Sequence, residues 1–162
     1  MKRVTTIQIL ARKARELSCG KECVEWAIGL LEDGLDSPSL RILGGFIPPF
    51  NHFEIAELRE RVLLELSPPE LSVSDPITAY VREFVASSLA VPGELVRTYQ
   101  QVAQLAIELG YPHELQNFYN LHFAWEDLQQ SEDQWYWQGA NRGNIEQIME
   151  EQAREFLARG GV

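Results

Sequence analysis

Apolar side chains recur every three to four residues along most of the chain, and no stretch alternates with the period of two that marks a half-buried strand. Val4, Ile7, Ala11, Ala14 and Leu17 outline the face of a first helix, with Arg12, Lys13 and Arg15 largely off it. Cys23, Val24, Trp26, Ala27, Ile28, Leu30 and Leu31 make a second helix that is apolar around much of its circumference, which predicts a central position. Ser18 is its candidate cap. Gly34 supplies a left-handed stop. Ser37 then offers a capping oxygen and Pro38 a preset φ to a short helix bearing Leu40, Ile42 and Leu43, ended by Gly44 and Gly45.

After the break at residues 47–50, Asn51 and Glu54 form a cap for a helix on Ile55, Leu58, Val62 and Leu66. The stretch SPPELSVSDP, residues 67–76, is the longest clear linker before the middle. Asp75 and Pro76 start a helix on Ile77, Tyr80, Val81, Phe84, Val85 and Ser88, interrupted by Pro92 and Gly93. Leu95, Val96, Tyr99, Val102, Ala103 and Ala106 carry the next, closed by Gly110. Pro112 opens another, with Leu115, Phe118, Tyr119, His122, Trp125 and Leu128 in register. Asn144, with Gln147 as reciprocal partner, begins a last helix on Ile145, Ile148, Met149, Ala153, Phe156 and Leu157. The pattern predicts an all-α fold: a compact bundle of about seven to eight helices with antiparallel neighbours, in one domain spanning 1–162.

One segment breaks the rhythm. In QSEDQWYWQGANRGN, residues 130–144, three large aromatics stand inside turn chemistry. If the segment is extended, Trp135 and Trp137 share one face and Tyr136 points the other way. A loop of about fourteen residues is long for a compact domain unless it packs on itself or serves a function. Aromatic stapling of the loop onto the bundle is the simpler reading. The functional one is a recognition patch of Trp135, Tyr136, Trp137 and Arg142 with the acids Glu132 and Asp133, since Trp, Tyr and Arg dominate binding energy at interfaces. The combined expectation is that at least one tryptophan packs inward and Tyr136 is the better exposed contact.

Charge sharpens the kind of partner. The net charge is −10, yet residues 1–21 hold six basic residues against one acidic, so the rest carries −15. An acidic body repels phosphate backbones and attracts basic protein surfaces, which predicts a protein partner and no nucleic acid. No run of 18 apolar residues exists, so no membrane span is expected. The basic opening lacks an apolar core and cleavage site, which fits mature protein rather than a signal peptide. Cys19 and Cys23, four apart, fit neither a C-x-x-C motif nor a disulfide framework. A reducing, cytoplasmic compartment is the simplest expectation.

Residues 26–45, WAIGLLEDGLDSPSLRILGG, resemble a family of small acidic bacterial helical proteins. That family's pattern is Trp-Ala, then Gly-x-Asp-Ser-Pro-x-Leu, then Leu-Ala-Gly. Trp26, Ala27, Gly34, Asp36, Ser37, Pro38, Leu40, Leu43 and Gly45 match, and Gly44 replaces the usual alanine, a change of small consequence for packing. The resemblance implies a helical bacterial protein and no activity. Some such proteins look like immunity partners encoded beside secreted toxins, an association rather than a mechanism.

Catalytic signatures are missing from the pattern. H-E-x-x-H, G-x-S-x-G and both common phosphate-binding loops are absent, and no cofactor is implied. Among three histidines, His122 and Glu126 stand one helical turn apart and could grip one ion, with His113 a further donor; a core histidine is the simpler account. Two function classes follow: a non-enzymatic protein-binding protein, of immunity or adaptor type, with a basic partner; or a small-molecule- or metal-binding helical enzyme. The sequence assigns no oligomeric state.

Overall fold

The computed structural model describes residues 3–160, and Lys2 of the basic opening lies outside them. The fold is all-α: eight helices and no strand among the described residues. The chain divides into two compact units between Tyr80 and Val81.

The first unit contains α1 (Thr6–Ala14), α2 (Lys21–Glu32), α3 (Pro38–Gly44) and α4 (His52–Leu66), followed by a 3-10 turn, Pro69–Ser72. Local chemistry sets most boundaries. Thr5 caps α1 by accepting from Gln8 N at 3.1 Å. Ser37 caps α3 by accepting from Leu40 N at 3.2 Å, and Asn51 caps α4 by accepting from Phe53 N and Glu54 N. Gly34, at φ +87°, ends α2 with Leu35 N donating to Leu30 O. The cap of α2 is Gly20, not Ser18.

α3 packs on both α2 and α4, and Trp26, Leu40, Leu43, Ile55 and Val62 are almost fully buried. A Cβ at Gly44 would meet Leu31 Cδ1 at 2.9 Å, so alanine there requires that flexible side chain to move. The Trp26 indole N–H donates to Thr6 Oγ1 at 3.1 Å, which satisfies the one polar atom that this residue brings inside. Cys19 and Cys23 are joined as a disulfide over the first turn of α2, with Cα atoms 5.8 Å apart. It is a single local bridge. Paired in this way, the two cysteines do not point to the reducing compartment expected for them as free thiols.

The second unit contains most of α5 (Pro76–Leu89), then α6 (Leu95–Glu108), α7 (Gln116–Gln130) and α8 (Ile145–Arg159). Asp75 caps α5 by accepting from Thr78 N at 3.1 Å. Pro112 leads into a 3-10 turn, His113–Leu115, that runs straight into α7. α7 packs against α6 and α8. Tyr99 is buried, its hydroxyl donating to Met149 O at 2.6 Å, and burial pushes its phenol pKa upward. Phe118 lies between the rings of Tyr99 and Phe156, at 4.9 and 5.0 Å. Arg82 covers Phe156 from 4.9 Å and donates to Leu157 O at 3.1 Å. Asn144 does not cap α8 in the expected way: its Oδ1 accepts from Asn141 N at 2.7 Å, inside the preceding loop.

Candidate partner-binding surface

The loop between α7 and α8 is built by its own polar side chains. Gln134 is its hub. Its Oε1 accepts from Tyr136 N at 2.9 Å and Trp137 N at 2.8 Å, while its Nε2 donates to Trp137 O and to Ala140 O. Asn141 Oδ1 accepts from Gly143 N and Asn144 N, and Asn144 Nδ2 donates to Gly139 O at 3.0 Å. Gly139, at φ +86°, makes the reversal that this closure needs. Self-packing therefore accounts for the loop's length.

The aromatic run is consequently a turn and not an extended strand, and the alternation expected of it does not apply. Trp135 is 92% exposed and Tyr136 41%, whereas Trp137 is half-buried. One tryptophan does turn inward. The most exposed ring is nevertheless Trp135, not Tyr136, because the Gln134 turn swings Tyr136 back onto α7. There the Tyr136 ring lies 5.7 Å from Phe123 and 6.4 Å from Tyr119.

This contact joins a wider cluster. Tyr119 and Phe123, one turn apart on α7, are 4.8 Å from each other, and Tyr111 meets Tyr119 edge-on at 5.4 Å. Tyr111 follows Gly110 in the left-handed region, at φ +62°, with its N–H bonded to Ala106 O at 2.7 Å. A non-glycine residue there costs on the order of 1 kcal/mol. Tyr111 is 53% exposed. Four rings from three segments thus form one partly exposed apolar surface, with Trp135 beside it in sequence.

The six residues singled out from the sequence divide by role. Trp135 and Tyr136 face solvent, and Glu132 and Asp133 are exposed. Trp137 is partly packed. Arg142 is committed locally: its Nε donates to Leu128 O at 2.6 Å, satisfying a carbonyl near the end of α7. Tyr119, expected on the apolar face of its helix, is only partly buried and joins the cluster, while the sequence pattern marks neither Tyr111 nor Phe123. The signal was present in α7, whose apolar positions 118, 119, 121, 123 and 125 span a wider arc than one buried stripe requires.

The electrostatic setting is acidic. Residues 81–162 contain twelve Asp and Glu against five Arg and no Lys. Arg154 and Arg159 are paired along α8 with Glu150 and Glu155, and Arg82 and Arg142 bond backbone carbonyls. Glu126, Glu132 and Asp133 are exposed.

His122 lies behind the surface. It is buried, meets Phe123 at 4.9 Å, and has Nε2 3.5 Å from Glu126 Oε1. Its Nδ1 is buried without a hydrogen-bond partner. Burial lowers its pKa, and the Glu126 carboxylate works in the opposite direction. Among the described residues no three His, Cys, Asp or Glu side chains are grouped to hold a metal ion.

The fold and this surface define an all-α chain whose second unit presents clustered aromatics within an excess of carboxylates. Comparison adds no narrower assignment: no family model matches the chain, and no curated protein or solved structure matches it. No helix among the described residues is long and apolar enough to cross a membrane.

Proposed function

We propose that this chain is a non-enzymatic protein-binding protein whose second unit docks a basic protein surface. One observation carries the reading: Tyr111, Tyr119, Phe123 and Tyr136 form a connected, partly exposed ring cluster beside a fully presented Trp135, in a unit dominated by carboxylates. Aromatic faces attract Arg and Lys side chains, and carboxylates attract them at longer range. Clustered Tyr and Trp supply large contact area at small conformational cost. The resemblance of residues 26–45 supports the finer reading of an immunity or adaptor protein, with a secreted basic toxin as the kind of partner.

The test is affinity capture from the producing organism with the wild type and with a Trp135→Ser, Tyr136→Ser double variant. The expected result is one basic protein held by the wild type at low salt. It is released at about 0.5 M salt, where screening acts within roughly 4 Å, and is not held by the double variant. Capture of the same proteins by both forms would reject this surface.

A further inference from the structure

The first unit contains a cavity of about 220 Å³ that the surface described above does not involve. Its walls are apolar: Trp26, Leu30, Val62 and Leu66 among others, roofed by Pro68 and Pro69 at the start of the 3-10 turn. The Trp26 indole N–H, already bonded to Thr6 Oγ1, presents no unsatisfied donor to the space. Apolar cavities of about 150 Å³ take up benzene, so this one accommodates a phenyl ring with a short chain.

The polar end of the cavity has one sign. Glu70 is the single charged residue in the lining, and no basic residue joins it. Among the described residues no ion pair or hydrogen bond engages its carboxylate. Ser67, also in the lining, is the left-handed cap of α4, so the negative end of that helix dipole faces the same rim. An anionic ligand would meet two unfavourable fields, and a cationic head group two favourable ones.

We propose that this cavity is a binding site for small amphiphilic amines, the apolar body lying between α2 and α4 against Trp26 and the ammonium held at the rim by Glu70. The size bounds the body to about ten heavy atoms. The charge pattern selects the head group.

The full chain is titrated separately with 2-phenylethylammonium, 2-phenylethanol and 3-phenylpropionate, following the four tryptophan indole resonances by two-dimensional NMR. The Trp26 indole resonance is expected to move saturably while those of Trp125, Trp135 and Trp137 stay in place. The ammonium binds about fivefold or more tightly than the alcohol, and the carboxylate binds most weakly. Glu70→Gln, which breaks no internal bond, brings the ammonium down to the alcohol's affinity and leaves the alcohol unchanged. Leu35→Trp, at a half-exposed lining position, weakens all three. An ammonium no tighter than the alcohol, a preference that survives Glu70→Gln, or an unmoved Trp26 resonance with every probe would each overturn the proposal. Trp135→Ser leaves all of these titrations unchanged, which keeps this site's fate separate from that of the partner surface.

Discussion

Helix α2 and the loop between α7 and α8 each carry a tryptophan, and the two side chains meet opposite fates. Trp26 is 1% exposed, bonded through its indole nitrogen to Thr6 and enclosed by α1, α3 and α4 side chains. Trp135 stands on a turn whose hydrogen bonds all come from neighbouring polar groups, and its own ring contributes nothing to that closure. The difference teaches that residue type alone does not separate a core from an interface. What separates them is whether the backbone carrying the aromatic is fixed by the aromatic's burial or by something else. In α2 the helix is held in place by what Trp26 buries. In the loop, Gln134 and Asn141 do the holding, and the ring is left free for another use.

The largest expected effect breaks this contrast most directly. Trp26→Ala removes a buried ring and leaves a void, for a loss of about 3–5 kcal/mol in chemical denaturation. Trp135→Ala stays within about 0.5 kcal/mol, as surface changes do. Comparable losses from both would mean that the loop depends on Trp135 after all. Gln134→Ala comes next. It strips acceptors from two N–H groups and a donor from two carbonyls in one turn, and is expected to cost about 1–2 kcal/mol. The sharper reading is local: amide exchange at Tyr136 and Trp137 accelerates, while exchange at Tyr99 is unchanged. A uniform acceleration across the second unit would show that the loop is not self-contained. Asn51→Ala is smaller again, about 1 kcal/mol, because it removes one capping oxygen from α4. Asn144→Ala, equally a residue before a helix, is expected to perturb the loop rather than α8, since its side chain bonds Asn141 N and Gly139 O.

The contrast also explains what the sequence made legible. Helix starts at Ser37, Asn51 and Asp75, and the stop at Gly34, were visible because each depends on a side chain or a φ preference belonging to one residue and its neighbours within four. The eight-helix reading rests on the same local signals. Failures occur where a residue with the right chemistry stands out of register with the helix start or is engaged elsewhere. Ser18 yields the cap of α2 to Gly20, and Asn144 spends its side chain in the loop. The Gln134 turn left no trace in the pattern because glutamine is not among the usual turn formers. The site was half legible for a related reason. Trp135 and Tyr136 stood out against polar neighbours, but Tyr119 and Phe123 sat within a helical stripe where exposed and buried rings look alike. Only tertiary placement of Tyr136 on Phe123 separates them. The pairing of Cys19 with Cys23 was not legible from helical spacing, because Cys19 lies in the irregular backbone before Gly20 and only Cys23 is within α2.

The smallest expected effect concerns His122, the buried polar group behind the ring cluster, and it contrasts with Trp26. The indole N–H inside the first unit has its acceptor, whereas His122 Nδ1 has none. Burial lowers the His122 pKa from 6.5 in the folded chain, so the unfolded chain takes up the proton first. Stability is therefore level above about pH 6.5 and falls as pH drops through that value, continuing down to the folded pKa and flattening below it. The slope cannot exceed about 1.4 kcal/mol per pH unit for one proton. Denaturation midpoints measured from pH 8 downward check this against His122→Gln, in which this part of the slope vanishes. Glu126→Gln sharpens the test, because the carboxylate 3.5 Å away partly offsets the burial. Without it the folded pKa drops further and the decline extends to lower pH. A flat wild-type profile through this range, or an identical one in His122→Gln, would show that His122 is not held neutral by burial. The ring cluster would then stand on ordinary packing with no titratable group beneath it.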